Sequence, residues 1–137
     1  GGLVLIVLDT HVLLWMDRND EALGPLARSV IESQWHDDTV AVSAISFWEV
    51  AVLQQRQRIA LPKLVQEWRA ELTQSGLKEI SLDGHVALLA SELKSFQRDP
   101  ADRFIAATAM VSDATLLTAD AQILGWEGSL KRQDARL

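Results

Sequence analysis

Apolar residues along the chain follow two different patterns, and the first is typical of buried strands. Residues 3–8 are continuously apolar and rich in Val, Ile and Leu, as expected for a strand covered on both faces of a parallel sheet. Further strands are predicted at 39–44, 77–82 and 115–118. Residues 77–82 alternate apolar and polar side chains, which favours a position nearer the sheet edge. A last short strand is expected around Leu130.

The second pattern is helical and separates these strands. Apolar residues recur at three- and four-residue spacings in five segments, residues 26–35, 45–59, 63–73, 83–93 and 102–111. Asp83 is a candidate N-cap, and Gly76 lies where a C-cap is expected. Strands that alternate with helices predict an α/β protein, a three-layer α/β/α sandwich around a mostly parallel sheet of four to five strands.

Composition narrows the class of protein. The chain has 137 residues, 48% of them apolar and 23% charged, as expected for a single globular domain over residues 1–137. It has no cysteine, which excludes disulfides and thiolate zinc sites. Its longest apolar run is far shorter than the roughly 20 residues of a membrane helix. We therefore expect a cytoplasmic protein without a membrane partner. The net charge of −6 argues against a generic nucleic-acid binder, which is usually basic.

Four acidic residues stand out by their positions. Asp9 directly follows the strand predicted at 3–8, and Asp120 lies two residues beyond the strand at 115–118. Because ligands collect at the carboxyl ends of parallel strands, both are expected at one functional edge. Asp102 begins an Ala-rich helix, and Glu49 lies in the first half of another helix among apolar neighbours. A carboxylate in that setting is costly unless it is paired or binds a metal.

Gathered carboxylates have a clear chemical use. Magnesium prefers oxygen ligands and keeps several waters. A bound ion can orient and deprotonate water, and it can neutralise charge that develops on a phosphate oxygen. Three or four neighbouring carboxylates without a cation would repel one another. The arrangement therefore predicts a divalent metal site formed by Asp9, Glu49, Asp102 and Asp120.

Each acid also has a purely structural interpretation. Asp9 is a candidate N-cap for a helix that starts at Thr10, Asp102 is a candidate N-cap for its own helix, and Asp120 is a candidate cap for a short turn over 121–124. Glu49 could instead be the ion-pair partner of an Arg. Taken singly these signals are weak, and the metal-site prediction depends on their joint placement.

Four segments of the chain resemble the motifs of PIN-domain toxins of the VapC type. They are Val7-Leu8-Asp9-Thr10-His11-Val12-Leu13-Leu14-Trp15, Ser43-Ala44-Ile45-Ser46-Phe47-Trp48-Glu49-Val50-Ala51, Asp99-Pro100-Ala101-Asp102-Arg103-Phe104-Ile105-Ala106-Ala107-Thr108-Ala109 and Leu116-Leu117-Thr118-Ala119-Asp120. The segments occur in the family's order and span nearly the whole chain. Together they are far more specific than any one of them.

The resemblance implies a PIN fold and an endoribonuclease that depends on Mg²⁺ or Mn²⁺ and acts as a growth-inhibiting toxin. It also implies a homodimer and a cognate antitoxin, made from the same operon and carrying a DNA-binding domain of its own. The core metal-site and catalytic acids would be Asp9, Glu49 and Asp102. Asp120 matches a fourth, more variable acid. Thr10 and Thr118 would hold the acids by hydrogen bonds.

Other polar residues give weaker signals. His11 follows the first acid and is a candidate substrate contact, although a turn or packing role fits it equally. Arg103 follows Asp102 and is a second candidate for substrate binding, or for an ion pair within the site. The basic residues of the carboxyl-terminal segment, Lys131, Arg132 and Arg136, are expected to be solvated.

Two other classes of function remain as alternatives. One is a catalytically inactive PIN-like domain kept for binding, although all four acids are present. The other is a receiver-type phosphoacceptor module, which has a similar α/β pattern. That module needs an acceptor Asp on a middle strand, whereas the strand region here ends in Ser43 and Ala44. A phosphoryl-transfer enzyme of the haloacid dehalogenase type fits poorly, because it needs a second Asp where His11 stands.

Overall fold

The computed structural model describes residues 4–93 and 99–137, and these form five strands and seven helices. In chain order the elements are β1 (Ile6–Leu8), α1 (Thr10–Asp17), α2 (Pro25–His36), β2 (Val40–Ser43), α3 (Ile45–Gln55), α4 (Val65–Ser75), β3 (Lys78–Ile80), α5 (Gly84–Glu92), α6 (Pro100–Val111), β4 (Thr115–Thr118), α7 (Ala121–Leu124) and β5 (Arg132–Asp134). Among these residues, no helix combines the length and apolarity needed to cross a membrane.

The five strands form one sheet in the order β3-β2-β1-β4-β5, and every neighbouring pair is parallel. The predicted three-layer α/β/α architecture is confirmed. Strand β1 lies in the centre, where Leu8 pairs with Val42 of β2 and Leu117 of β4. This register brings the carboxyl ends of the three strands to the same edge of the sheet.

The side chains of the strands alternate between two hydrophobic cores, one on each face of the sheet. On one face, Ile6 and Leu8 pack with buried residues of α1, α2, α3 and α4. On the other face, Val7 packs with buried residues of α5, α6 and α7. Because both faces are covered, the strands can be apolar at successive positions, which explains the continuous apolar run that begins the chain.

Several boundaries differ from those predicted. The helix predicted over 45–59 ends at Gln55, because Gln57 adopts a φ of +57° that cannot continue a right-handed helix. Helix α6 starts at Pro100, two residues before the predicted start, because Asp99 caps it. The strand expected around Leu130 lies at Arg132–Asp134. The first predicted strand begins at Ile6, and its Leu3 lies outside the described residues.

The connection from α4 to β3 depends on Gly76, which has a φ of +126°. A Cβ atom here would lie 3.2 Å from the Nε1 atom of Trp35, which donates a hydrogen bond to the carbonyl of Ser75. We therefore expect Gly76→Ala to lower the free energy of unfolding by about 1–3 kcal/mol, since both the backbone and this contact are strained. Urea denaturation measures the change.

Gly84→Ala is the matched control, because Gly84 begins α5 and a Cβ there meets nothing within 4 Å. It should leave stability unchanged or raise it by up to about 1 kcal/mol. Equal effects of the two substitutions would contradict a special role for the Gly76 conformation.

Candidate active site

A cleft of about 230 Å³ opens at the carboxyl edge of the sheet, beside the ends of β1 and β4. It brings together acidic residues from distant parts of the sequence. Its lining residues are Asp9, Thr10, His11, Trp15, Glu49, Asp99, Asp102, Ala119, Asp120 and Arg136. Five of them are carboxylates, and they include all four acids predicted from the sequence.

Asp9 is the most buried of the acids, with 8% of its surface exposed. Its Oδ1 accepts a hydrogen bond of 2.9 Å from the amide of Val12 and thereby caps α1. Its Oδ2 accepts a hydrogen bond from the hydroxyl of Thr118 on β4. Burial raises the pKa of Asp9 above its usual range, and these two hydrogen bonds oppose that rise. The carboxylate is therefore held in one orientation from two elements.

Glu49 faces the cleft from α3 and is half-buried. It accepts a hydrogen bond from the hydroxyl of Thr10, whose Oγ1 also lies 3.0 Å from the Oγ of Ser46. The pKa of Glu49 is raised to about 7, mainly by burial. The charges of Asp99 and Asp9 and a hydrogen bond with Asp99 contribute to this rise, and the hydrogen bond from Thr10 opposes it. Glu49 takes part in none of the ion pairs between described residues.

Asp102 lies in the first turn of α6. Its pKa is raised to about 8, mainly by burial and in addition by the charges of Asp99, Asp120, Glu49 and Asp9. A charge effect from every other acid of the cleft means that Asp102 lies within electrostatic reach of all four. The convergence of the acids therefore acts directly on the ionisation of Asp102.

The alternative prediction that these acids cap helices is confirmed for two of them. Asp9 caps α1, and Asp120 caps α7 through the amides of Gln122 and Ile123. The cap of α6 is Asp99 rather than Asp102, so that alternative was wrong for Asp102. A capping carboxylate still has lone pairs for another ligand, so capping and metal binding are compatible.

Three further residues of this region have no role in the site predicted from the sequence. They are Asp99 and Arg136, which line the cleft, and Ser46, which contacts Thr10. For Asp99 a signal was available, because an Asp before Pro at a helix start is typical of an N-cap. Ser46 supports Thr10, and its position three residues before Glu49 was the available hint. Arg136 was expected to be solvated, and it does lie exposed, but at the wall of the cleft.

The two candidate substrate contacts differ in position. His11 is exposed and lines the cleft, where its charge lowers the pKa of Asp9. Arg103 is half-buried on α6 and is not among the residues that line the cleft.

The donor set of the cleft fits a hard divalent cation, since carboxylate oxygens are the ligands that Mg²⁺ and Mn²⁺ prefer. Within residues 4–93 and 99–137, however, no three acidic or His side chains converge closely enough to hold an ion as they stand. The acids lie around one cleft and influence one another's pKa. Binding an ion would therefore require rotation of side chains, with Asp9 already fixed by its two hydrogen bonds.

Comparison with known proteins identifies the family. The sequence profile described as "PIN domain" matches residues 6–124, which is most of the chain. The chain belongs to the PIN-domain family. The matched region includes Asp9, Glu49, Asp102 and Asp120, whereas Arg136 lies beyond it.

Among similar proteins, Ribonuclease VapC22 of Mycobacterium tuberculosis (strain ATCC 25618 / H37Rv) is 36% identical to this PIN domain over 119 residues, covering 86% of the chain and 88% of the relative. Solved structures show the same fold. One is VapBC2 from Rickettsia felis bound to a DNA fragment from its promoter; it has a TM-score of 0.67 and 19% identity, and the match covers 94% of this chain and 97% of that chain. Another is DNA-bound VapBC from Salmonella typhimurium (TM-score 0.68, 16% identity, 96% and 98%).

The raised pKa values predict how the stability of the metal-free PIN domain depends on pH. Asp102 and Glu49 have folded-state pKa values of about 8 and about 7, above their ordinary values, so the folded state holds protons that the unfolded chain releases. Their contribution to stability is fully present below about pH 4 and is lost as pH rises through these folded-state values. Thermal unfolding with a chelator should show a midpoint that falls between about pH 5 and pH 9.

Asp102→Asn should flatten that dependence, because the amide does not ionise. Glu21→Gln, which changes an exposed acid outside the cleft, is the matched control and should follow the parent. A pH profile of Asp102→Asn that coincides with the parent's would show that Asp102 does not titrate in this way.

Proposed function

We propose that this PIN-domain protein is a metal-dependent endoribonuclease and the toxin of a toxin–antitoxin pair. The observation that carries the proposal is the convergence of Asp9, Glu49, Asp102 and Asp120 on one cleft. The 36% identical relative that is named a ribonuclease supports the reaction class. The shared cleft also favours an active enzyme over an inactive binding domain, because all four predicted acids line it.

Asp9, Glu49 and Asp102 would hold the cation, Mg²⁺ or Mn²⁺, with Asp120 beside them and acting directly or through water. When bound, the ion would activate water for attack on a phosphodiester and neutralise charge on the phosphate. It would also supply the positive charge that a polyanionic substrate needs at an otherwise acidic cleft.

The threonines have a defined part in this scheme. Thr118 orients Asp9, and Thr10 orients Glu49, each through one hydroxyl. Both hydroxyls are on buried residues, so their directions are set by the fold and not by solvent. Supporting groups of this kind typically contribute tenfold to hundredfold in metal affinity or activity. His11, which is exposed and lines the cleft, would contact the RNA near the phosphate that is cleaved.

Replacement of the acids should separate catalysis from folding. We expect Asp9→Asn and Asp102→Asn each to lower RNA cleavage by about a hundredfold or more, because the loss of a ligand exceeds the loss of a supporting group. They should also lose the rise in unfolding temperature that Mg²⁺ gives the parent. Cleavage of total RNA, with a chelator and after restoring Mg²⁺ or Mn²⁺, measures the first effect.

Asp37→Asn, which changes an exposed acid at the end of α2, is the control and should behave like the parent. Full cleavage by the parent in excess chelator would refute the metal-dependent mechanism. Parental activity of folded Asp102→Asn would refute the assignment of that residue.

We propose as partners a cognate antitoxin and a second copy of the chain. The similar solved structures from Rickettsia felis and Salmonella typhimurium are VapBC complexes bound to DNA. In this chain, several large apolar side chains lie exposed, among them Trp48, Leu64 and Leu88, and exposed apolar surface often marks interfaces.

The charge of the cleft predicts how an antitoxin silences the enzyme. A guanidinium or ammonium group from the inhibitor would bind the carboxylates, while apolar residues supply most of the affinity. We expect replacement of the responsible basic residue of the antitoxin by Ala to restore RNA cleavage while the complex still forms. If every variant with one basic residue of the toxin-binding segment replaced by Ala inhibits as well as the parent antitoxin, the prediction is wrong. Steric exclusion of RNA from the cleft would then be the better explanation.

A further inference from the structure

We propose that Arg136 is a substrate-positioning residue that binds the RNA phosphate at the cleft. The inference rests on the proposed ribonuclease function and names a side chain of the site that lies outside the region matched by the PIN-domain profile, which ends at residue 124. Three features of the structure carry it. These are the path of the chain after β5, the anchoring of that segment, and the absence of an acidic partner for the guanidinium among the described residues.

The sheet delivers Arg136 to the cleft. Asp134 pairs with Thr118 across β5 and β4, and the amide of Ala135 donates a 2.9 Å hydrogen bond to the carbonyl of Thr118. Residue 136 therefore comes next to Ala119 and Asp120, which follow Thr118 and line the cleft. The same parallel arrangement that places Asp9 and Asp120 at this edge thus adds a basic side chain beside them.

The backbone on both sides of Arg136 is anchored. The amide of Gly24 donates to the carbonyl of Ala135 (2.9 Å), and the amide of Ala27 in the first turn of α2 donates to the carbonyl of Leu137 (3.0 Å). The amide of Arg136 itself donates to Oδ1 of Asp134. Contact with Gly24 is so close that a Cβ there would lie 2.3 Å from the carbonyl carbon of Leu137. The segment is therefore fixed against the rest of the fold.

The guanidinium is available to an anion. The ion pairs of the described residues are Lys63–Glu71, Arg69–Glu79 and Lys131–Asp113, so Arg136 lines a cleft of five acids without pairing with any of them. Arg presents a planar set of donors that matches two phosphate oxygens. The chain has a net charge of −6 and repels RNA as a whole. A basic side chain at the cleft therefore contributes more to RNA binding than one elsewhere.

Arg136→Gln tests this role in steady-state cleavage of a labelled single-stranded RNA of mixed sequence with saturating Mg²⁺. Loss of a charged hydrogen bond to phosphate should raise KM roughly tenfold, with a smaller change in kcat. It should also reduce the slope of log KM against log salt concentration by about 0.7, the value for one phosphate contact on a single strand. Arg136→Lys should recover part of KM, because it keeps the charge but not the two-point geometry.

Lys131→Gln is the matched control. It removes the same charge from the same segment, but Lys131 pairs with Asp113 near the opposite, amino-terminal edge of the sheet. Its KM and salt slope should equal those of the parent. A KM for Arg136→Gln that matches the Lys131→Gln value would overturn the proposal. So would a fall in the Mg²⁺ concentration needed for half-maximal activity, since the guanidinium would then be competing with the metal.

A second variant tests the anchoring without changing the charge. Gly24→Ala should displace Leu137 and raise KM, while Gly84→Ala should not. In the Gly24→Ala protein, Arg136→Gln should have less effect than in the parent, because contacts that depend on one another are not additive. Thermal melts check that each variant is folded, and full additivity of the two changes would overturn the coupling. Absence of metal-dependent cleavage by the parent would instead refute the proposed function itself.

Discussion

Repulsion among carboxylates is the constraint on which the active edge of this protein depends. Five acids line one cleft, and the most buried, Asp9, has 8% of its surface exposed. Burial and like charges together raise the pKa of Asp102 to about 8, so the fold opposes the ionisation of this carboxyl. Such a set is costly for stability unless a cation compensates its charge.

The fold can carry this cost because two of the acids, Asp9 and Asp120, follow its buried central strands β1 and β4. Leu8 and Leu117, which are completely buried, pair within the central strands next to Asp9 and Thr118. The hydrogen bond from Thr118 to Asp9 therefore joins two strands at their ends. Glu49 is oriented in a similar way by Thr10, the first residue of α1. Buried hydroxyls thus set the positions of two acids that would otherwise move apart.

The sequence predicted the architecture and four acids of the cleft because these depend on local patterns. A continuously apolar strand followed by Asp, as at Asp9, places the acid at the sheet edge whatever the rest of the chain does. Glu49 was found because its neighbours are apolar. Arg136 could not be found in this way, because its position depends on contacts of residues 135 and 137 with Gly24 and Ala27, which are more than 100 residues away.

The same distinction between local and distant contacts explains the errors at helix ends. The sequence predicts a helix that starts at Asp102, whereas α6 starts at Pro100 and is capped by Asp99. The left-handed conformation of Gln57, which follows the end of α3, has no marker in the sequence, since that residue is neither Gly nor Asn. Patterns of apolar residues identify the middle of a helix better than its ends.

Net charge shows most clearly why composition alone misleads for this chain. The value of −6 argued against an RNA-binding protein, yet five of the 19 acidic residues lie in one cleft. The remaining 14 acids nearly balance the 13 basic residues, so the negative charge is concentrated where a divalent cation would neutralise it. Without a metal the acidic cleft would repel a phosphate group, whereas with a bound metal it would bind one. The net negative charge of the chain is thus a consequence of the proposed chemistry. The position of the acidic residues, and not the total charge, decides whether the protein can bind RNA.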